Sequence, residues 1–294
     1  MEATTEAMKR GTPPATVPLF AKAALGALAR PRRIRRLPDT ALVLPEQVVD
    51  RDHLAAYARV CGFPLSDRLP GTYPHVLGFG LALQLMTGRD FPFPLLGLLH
   101  IANRITVRRA IRADERLTLQ VRATDLETHD RGNQFTLGTE VIVDGAPVWS
   151  ERSAYLRRSG DREKPRGAGH AVTQRPAQRP AQPPEPTAMW QLTEDAGRRY
   201  AAVSGDYNPI HLHRLTARAF GFRQAIAHGM YTKARCLAAL DARLPESYTV
   251  DVRFGRPVLL PATVHVSITE ASGGWNFAVH NPDGRSHLTG AISA

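Results

Sequence analysis

A chain of 294 residues with 43% hydrophobic content is long enough for two modest domains with packed cores. Its net charge of +11 invites a nucleic-acid role, but residues 1–36 hold eight Lys/Arg against two acids and residues 157–187 hold seven against three, which leaves the other 227 residues almost neutral. A nucleic-acid domain concentrates basic charge on a folded face, and with no zinc finger, RNP motif or heptad run that class is set aside. Cys61 and Cys236 stand in no metal-ligand or disulfide spacing, so a reducing, cytoplasmic setting is expected and no metal site is indicated. The apolar stretch Val17 to Leu28 is too short to span a bilayer and precedes its arginines, the wrong order for a secretory signal.

Residues 1–36 read as a basic, disordered tail. The alternative is a short amphipathic helix meeting an anionic membrane surface or an acidic protein. Domain one is expected over 37–156. It opens with a short strand at Ala41–Leu44 and a helix near Asp50 to Cys61. The run from Val76 to Met86 is apolar nearly all round, which predicts a helix buried on every side. Gly78 and Gly80 would allow close backbone approach or leave room for a ligand, and Phe91–Leu96 forms an apolar loop. Four β-type runs follow at Ile101–Ile111, Glu115–Thr128, Gln134–Val143 and Pro147–Leu156, with an Asp144-Gly145 hairpin turn between the last two. A buried helix followed by an antiparallel meander is the α+β pattern of a hot-dog domain, a sheet wrapped round a central helix.

Residues 157–187 carry six prolines with Arg, Gln, Gly and Ala and no apolar periodicity, which predicts an extended linker. Domain two is expected over 188–294. The spacing of Leu192, Ala196, Tyr200 and Val203 predicts a helix from Trp190 to Val203. A tight loop, Ser204-Gly205-Asp206-Tyr207-Asn208-Pro209-Ile210-His211, leads into a second helical run to Ala217. A helix from Gly229 to Ala242 and strands at Tyr248–Phe254, Thr263–Ala271, Trp275–His280 and Arg285–Ser293 complete the domain.

The two halves repeat. Tyr57, Ala58, Val60 and Gly62 match Tyr200, Ala201, Val203 and Gly205 in register, and His75 matches His228 with about ten residues fewer between the landmarks. The gap falls where the second half carries Asn208–His211. An internal duplication is inferred, giving a double hot-dog whose first copy lacks the polar loop.

That loop collects chemistry. Asp206, Asn208 and His211 lie within six residues, between a glycine that frees φ and a proline that fixes it. Asp-Tyr-Asn-Pro is also ordinary turn chemistry, so short spacing alone leaves a structural reading open. The longer string Tyr200-x-x-x-Ser204-Gly205-Asp206-x-Asn208-Pro209-Ile210-His211-x5-Ala217, followed by Ala227-His228-Gly229-Met230, resembles the signature of the MaoC-like, or type 2, (R)-specific enoyl-thioester hydratases. The two-domain arrangement looks most like the mycobacterial (3R)-hydroxyacyl-thioester dehydratases.

The resemblance implies a hydro-lyase interconverting (3R)-hydroxyacyl and trans-2-enoyl thioesters of coenzyme A or acyl carrier protein. It implies Asp206 and His211 as the catalytic pair, Gly229 in the oxyanion hole, and a first copy that has given up chemistry to make space for an acyl chain. Independently of it, His211 titrates near neutrality and suits proton transfer, and Asn208 can fix the loop or a water. The N–H of Gly229 opens a buried helix, where its dipole favours a developing oxyanion. Which of Asp206 and His211 is the base stays open. No cofactor is needed for such a step. His228 reads as a core histidine, and Lys233, Arg253 and Arg256 as phosphate contacts or solvated surface charges. Two copies in one chain can replace a homodimer, or a homodimer of double domains can form. Two other functions remain: a hot-dog thioesterase, against which Met230–Ala239 lacks an acidic residue, and a non-catalytic acyl-thioester-binding subunit.

Overall fold

The computed structural model describes residues 4–7, 13–26, 36–158 and 185–294. Strand β1 (Thr4–Ala7) and helix α1 (Thr16–Gly26) precede the first copy. That copy comprises β2 (Thr40–Gln47), α2 (Arg51–Cys61), α3 (Tyr73–Met86), β3 (Leu98–Val107), β4 (Leu117–His129), β5 (Gly132–Val143) and β6 (Ala146–Arg158). The second comprises β7 (Ala188–Leu192), α4 (Ala196–Ser204), α5 (Pro209–Leu212), α6 (Arg214–Ala219), α7 (Gly229–Leu240), β8 (Tyr248–Phe254), β9 (Ala262–Ala271), β10 (Gly274–His280) and β11 (Ser286–Ser293).

Local chemistry sets these boundaries. Asp50 accepts from the backbone N–H groups of Asp52 and His53 to start α2, and Gly62 ends it at φ 83°, where a side chain would be strained. Helix α3 buries Leu81 and Leu83 as well as Phe79 and Met86, so sheet and neighbours enclose it on all sides, as its sequence predicts. Gly78 permits this: a Cβ there would sit 3.0 Å from Thr139 on β5.

All strands among the described residues join one sheet in the order β1-β2-β4-β5-β6-β3-β8-β11-β10-β9-β7. Within it, β2-β4-β5-β6-β3 and β7-β9-β10-β11-β8 are the same arrangement twice. Antiparallel pairing of β3 with β8, Ile105 opposite Val250, fuses the halves. The duplication inferred from sequence is thus a duplication of topology: α3 and α7 are equivalent central helices, and α5 with α6 is the extra segment of the second copy. This is the expected double hot-dog.

Three expectations change. The predicted helix from Trp190 is a strand as far as Leu192, because Trp190 pairs with Val264 on β9, and the helix starts only at Ala196. Residues 1–36, expected as a disordered tail, include α1, which buries Phe20 and Ala23 in the core. The run after His211 is two short helices, broken where His213 turns extended (φ −152°) and caps α6 with its ring nitrogen. Of the linker, 159–184 lies outside the described residues. Among the described residues, no helix is long and apolar enough to cross a membrane.

Candidate active site

The site is built where α4 ends. Gly205 stops that helix in the left-handed region at φ 72° and donates to the Ala201 carbonyl. The chain then folds on itself. The Asp206 carboxylate accepts from the N–H of Asn208 at 3.2 Å, and the Asn208 side chain in turn caps α5 at the N–H of Ile210. Pro209 starts α5 and places His211 on its only turn. Helix α4 lies so close that a Cβ on Gly197 would fall 2.0 Å from the His211 carbonyl oxygen, so only glycine fits there.

His211 is held in one tautomer. Its Nδ1 is 2.8 Å from the Ile226 carbonyl, which can only accept, so the proton resides on Nδ1 and Nε2 keeps its lone pair. His228 is the residue just before α7, and its ring stacks on His211 with centroids 3.6 Å apart. It donates from Nε2 to the Asp206 backbone carbonyl at 3.0 Å, and the same nitrogen is 3.7 Å from the Asp206 carboxylate. Burial pushes the Asp206 carboxyl above the usual carboxylate range, against the pull of His211. Burial likewise lowers His211, opposed by the Asp206 charge, and holds His228 well below the usual histidine value. In both imidazoles burial therefore favours the neutral form.

Asp206, His211 and His228 present ligand atoms within 4.8 Å of one another. Their geometry suits a metal poorly. The rings are stacked at 24°, so their in-plane lone pairs do not converge, and one nitrogen of each is committed to a carbonyl.

Asp206, Asn208, His211 and Gly229 all line one cavity of about 280 Å³. Gly229 is the first residue of α7, so its N–H is one of the helix's orphan donors. A Cβ on it would meet the Phe254 ring at 2.8 Å. The sequence-predicted set is therefore brought together. Its remaining members separate. Arg256 lines the cavity; Arg253 is exposed on β8 and does not. Lys233 is fully buried, so the phosphate-contact reading for it is overturned. Its Nζ donates to the Asn103 side chain on β3, and burial pushes it down to about 7. Gly78 and Gly80 serve packing and do not line the cavity, whereas Leu95 of the apolar loop does.

The first copy supplies residues that the sequence reading missed. His75, equivalent to His228, lines the cavity and pairs at 2.9 Å with Glu151, which is 3% exposed. Glu151 and Ser153 both accept from Asn103, so His75, Glu151, Asn103 and Lys233 form one buried chain across the two copies. The signal was present: Trp149, Glu151 and Ser153 share the inward phase of β6, and Lys233 lies on the helical stripe of Met230, Leu237 and Leu240. Arg131 and Arg158 line the same cavity and come together because the β4–β5 turn places Gly132 opposite Arg158.

Comparison with known proteins agrees with this architecture. The profile of the MaoC like domain matches residues 175–281, and that of the FAS1-like, dehydratase domain region matches 50–151. The chain is 38% identical to 3-hydroxyacyl-thioester dehydratase X of Mycobacterium tuberculosis, over 96% of this chain and 99% of the relative. It is 27% identical to enoyl-CoA hydratase ChsH3 of the same organism, over 65% and 68%. The crystal structure of HtdX from that organism superposes with a TM-score of 0.75 at 37% identity, covering 86% of this chain and 99% of the other. With a polar loop, a helix-end amide and a duplicated sheet in one arrangement, and a relative matched along nearly its whole length, the chain belongs to the MaoC-like dehydratase family.

Proposed function

We infer that the chain is a hydro-lyase that interconverts (3R)-hydroxyacyl and trans-2-enoyl thioesters in fatty-acid metabolism. The observation that carries this reading is His211: buried, held by Ile226 so that Nε2 is free, and beside Asp206 in a cavity. In dehydration, one of this pair takes the C2 proton while the other gives a proton to the C3 hydroxyl, which leaves as water. In hydration the same transfers run backwards. Charge that builds on the thioester oxygen meets the Gly229 N–H at the positive end of α7. Asn208 holds the loop by capping α5.

Arg131, Arg158 and Arg256 at the cavity suit the phosphates of coenzyme A or of a carrier-protein arm. Two copies within one chain complete the double sheet without a second subunit, and a homodimer of such chains is testable by sedimentation. The free, buried Cys61 and Cys236 accord with a cytoplasmic location. The test is incubation with crotonyl-CoA and a longer 2-enoyl-CoA, followed at the enone-thioester absorbance with thiol release read in parallel. Loss of absorbance without free thiol is the expected result. Thiol release would indicate a thioesterase, and binding without turnover a non-catalytic subunit.

A further inference from the structure

Helix α1 belongs to neither hot-dog copy, yet it touches the working parts of both. Pro14, just before it, lies over the middle of α3, where a Cβ on Gly80 would be 2.7 Å from the Pro14 carbonyl oxygen. Thr16 packs against Gly205, the residue before Asp206, at 3.1 Å from the position a Cβ would take. One turn on, Phe20 turns inward. It is 8% exposed, meets Phe79 with ring centroids 6.5 Å apart, and lines the same cavity as Asp206 and His211. Val17, in the first turn of the same helix, is 60% exposed.

Along α3, His75, Phe79, Leu83 and Met86 form one stripe facing this cavity. At 1.5 Å per residue the stripe is about 16 Å long, and Phe79 lies about 6 Å from His75. An acyl chain laid along it passes Phe79 only after its first few carbons. Short substrates end before that point.

We propose that α1 is the outer wall of the acyl-chain channel and that Phe20 is a specificity-determining residue favouring long chains. The inference rests on the hydro-lyase reading and adds the class of substrate. Without the ring, the distal part of a long chain loses an apolar partner and faces solvent, while the thioester end keeps its contacts.

The experiment compares kcat/KM for crotonyl-CoA and 2-dodecenoyl-CoA in the full chain, in Phe20→Ala, in Phe20→Leu, and in Val17→Ala as the exposed control. Phe20→Ala should lower the long-to-short ratio about tenfold, Phe20→Leu by less, and Val17→Ala not at all. An unchanged ratio in Phe20→Ala, or equal loss on both substrates, would overturn the proposal. Should Phe20→Ala fail to fold, Phe20→Leu decides by the same ratio. Calorimetric binding of dodecanoyl-CoA against CoA, in parent and variant, separates the two readings: a parent without turnover refutes the hydro-lyase, and a variant that loses no dodecanoyl-CoA affinity refutes the wall.

Discussion

Gly229→Ala tests how the helix-end amide is set. The new Cβ would stand 2.8 Å from Cδ1 and Cε1 of Phe254, where 3.4 Å is the start of ordinary contact, so something must give by about 0.6 Å. The ring has little freedom to retreat. It packs on His100 at 4.8 Å between centroids, and His100 stacks on Tyr155 at 4.7 Å. Overpacking of this kind costs about 1–3 kcal/mol of stability. If α7 retreats instead, the Gly229 N–H leaves the thioester oxygen. A misplacement near 1 Å is worth on the order of 10²-fold in rate, similar to removing one oxyanion-hole donor. Steady-state hydration of crotonyl-CoA, with urea unfolding alongside, should show kcat down about 10²-fold, KM little changed, and lower stability. Adding Phe254→Leu removes the obstructing ring and should recover stability and most of kcat. A Gly229→Ala enzyme with kcat within twofold of the parent would refute the reasoning. Recovered stability without recovered kcat would show instead that the methyl group blocks the thioester directly.

Three further outcomes are expected. His211→Ala should lower turnover by about 10²-fold or more. It should also cost about 1–3 kcal/mol in a thermal or urea melt, because the Ile226 carbonyl loses its donor inside the protein; unchanged turnover would remove His211 from the mechanism. The pH profile of kcat/KM should lose activity on the acid side only below the usual histidine range near 6.5, since burial lowers His211 and protonation removes its lone pair. Asp206→Asn removes the charge that opposes this shift and should move that limb lower still; a limb moving upward would contradict the pairing. Lys233 releases its proton near pH 7 when folded but near 10.5 when unfolded. Between those values the unfolded chain binds the extra proton, so this residue makes stability rise with pH, by at most about 1.4 kcal/mol per pH unit. Urea midpoints at pH 7 and 8.5 should show that rise in the parent and a smaller one in Lys233→Met; equal slopes would mean that Lys233 keeps its ordinary acidity.

The sequence alone determined the repeat, the buried character of α3 and the polar loop of the second copy. Each is a local signal: a register of Tyr, Ala, Val and Gly, an all-round apolar helix, and a carboxylate, amide and imidazole between a glycine and a proline. Tertiary structure decided what depends on distant partners. Trp190 is strand because β9 offers it a ladder, against its own helical spacing. Lys233, which reads as a surface cation, is enclosed because β3 brings Asn103 to it from 130 residues away. Phe20 belongs to the cavity because α3 and the Gly205 loop meet beneath α1. Periodicity and spacing report only the chain's immediate neighbours, whereas burial and charge pairing are set by whatever the fold brings alongside.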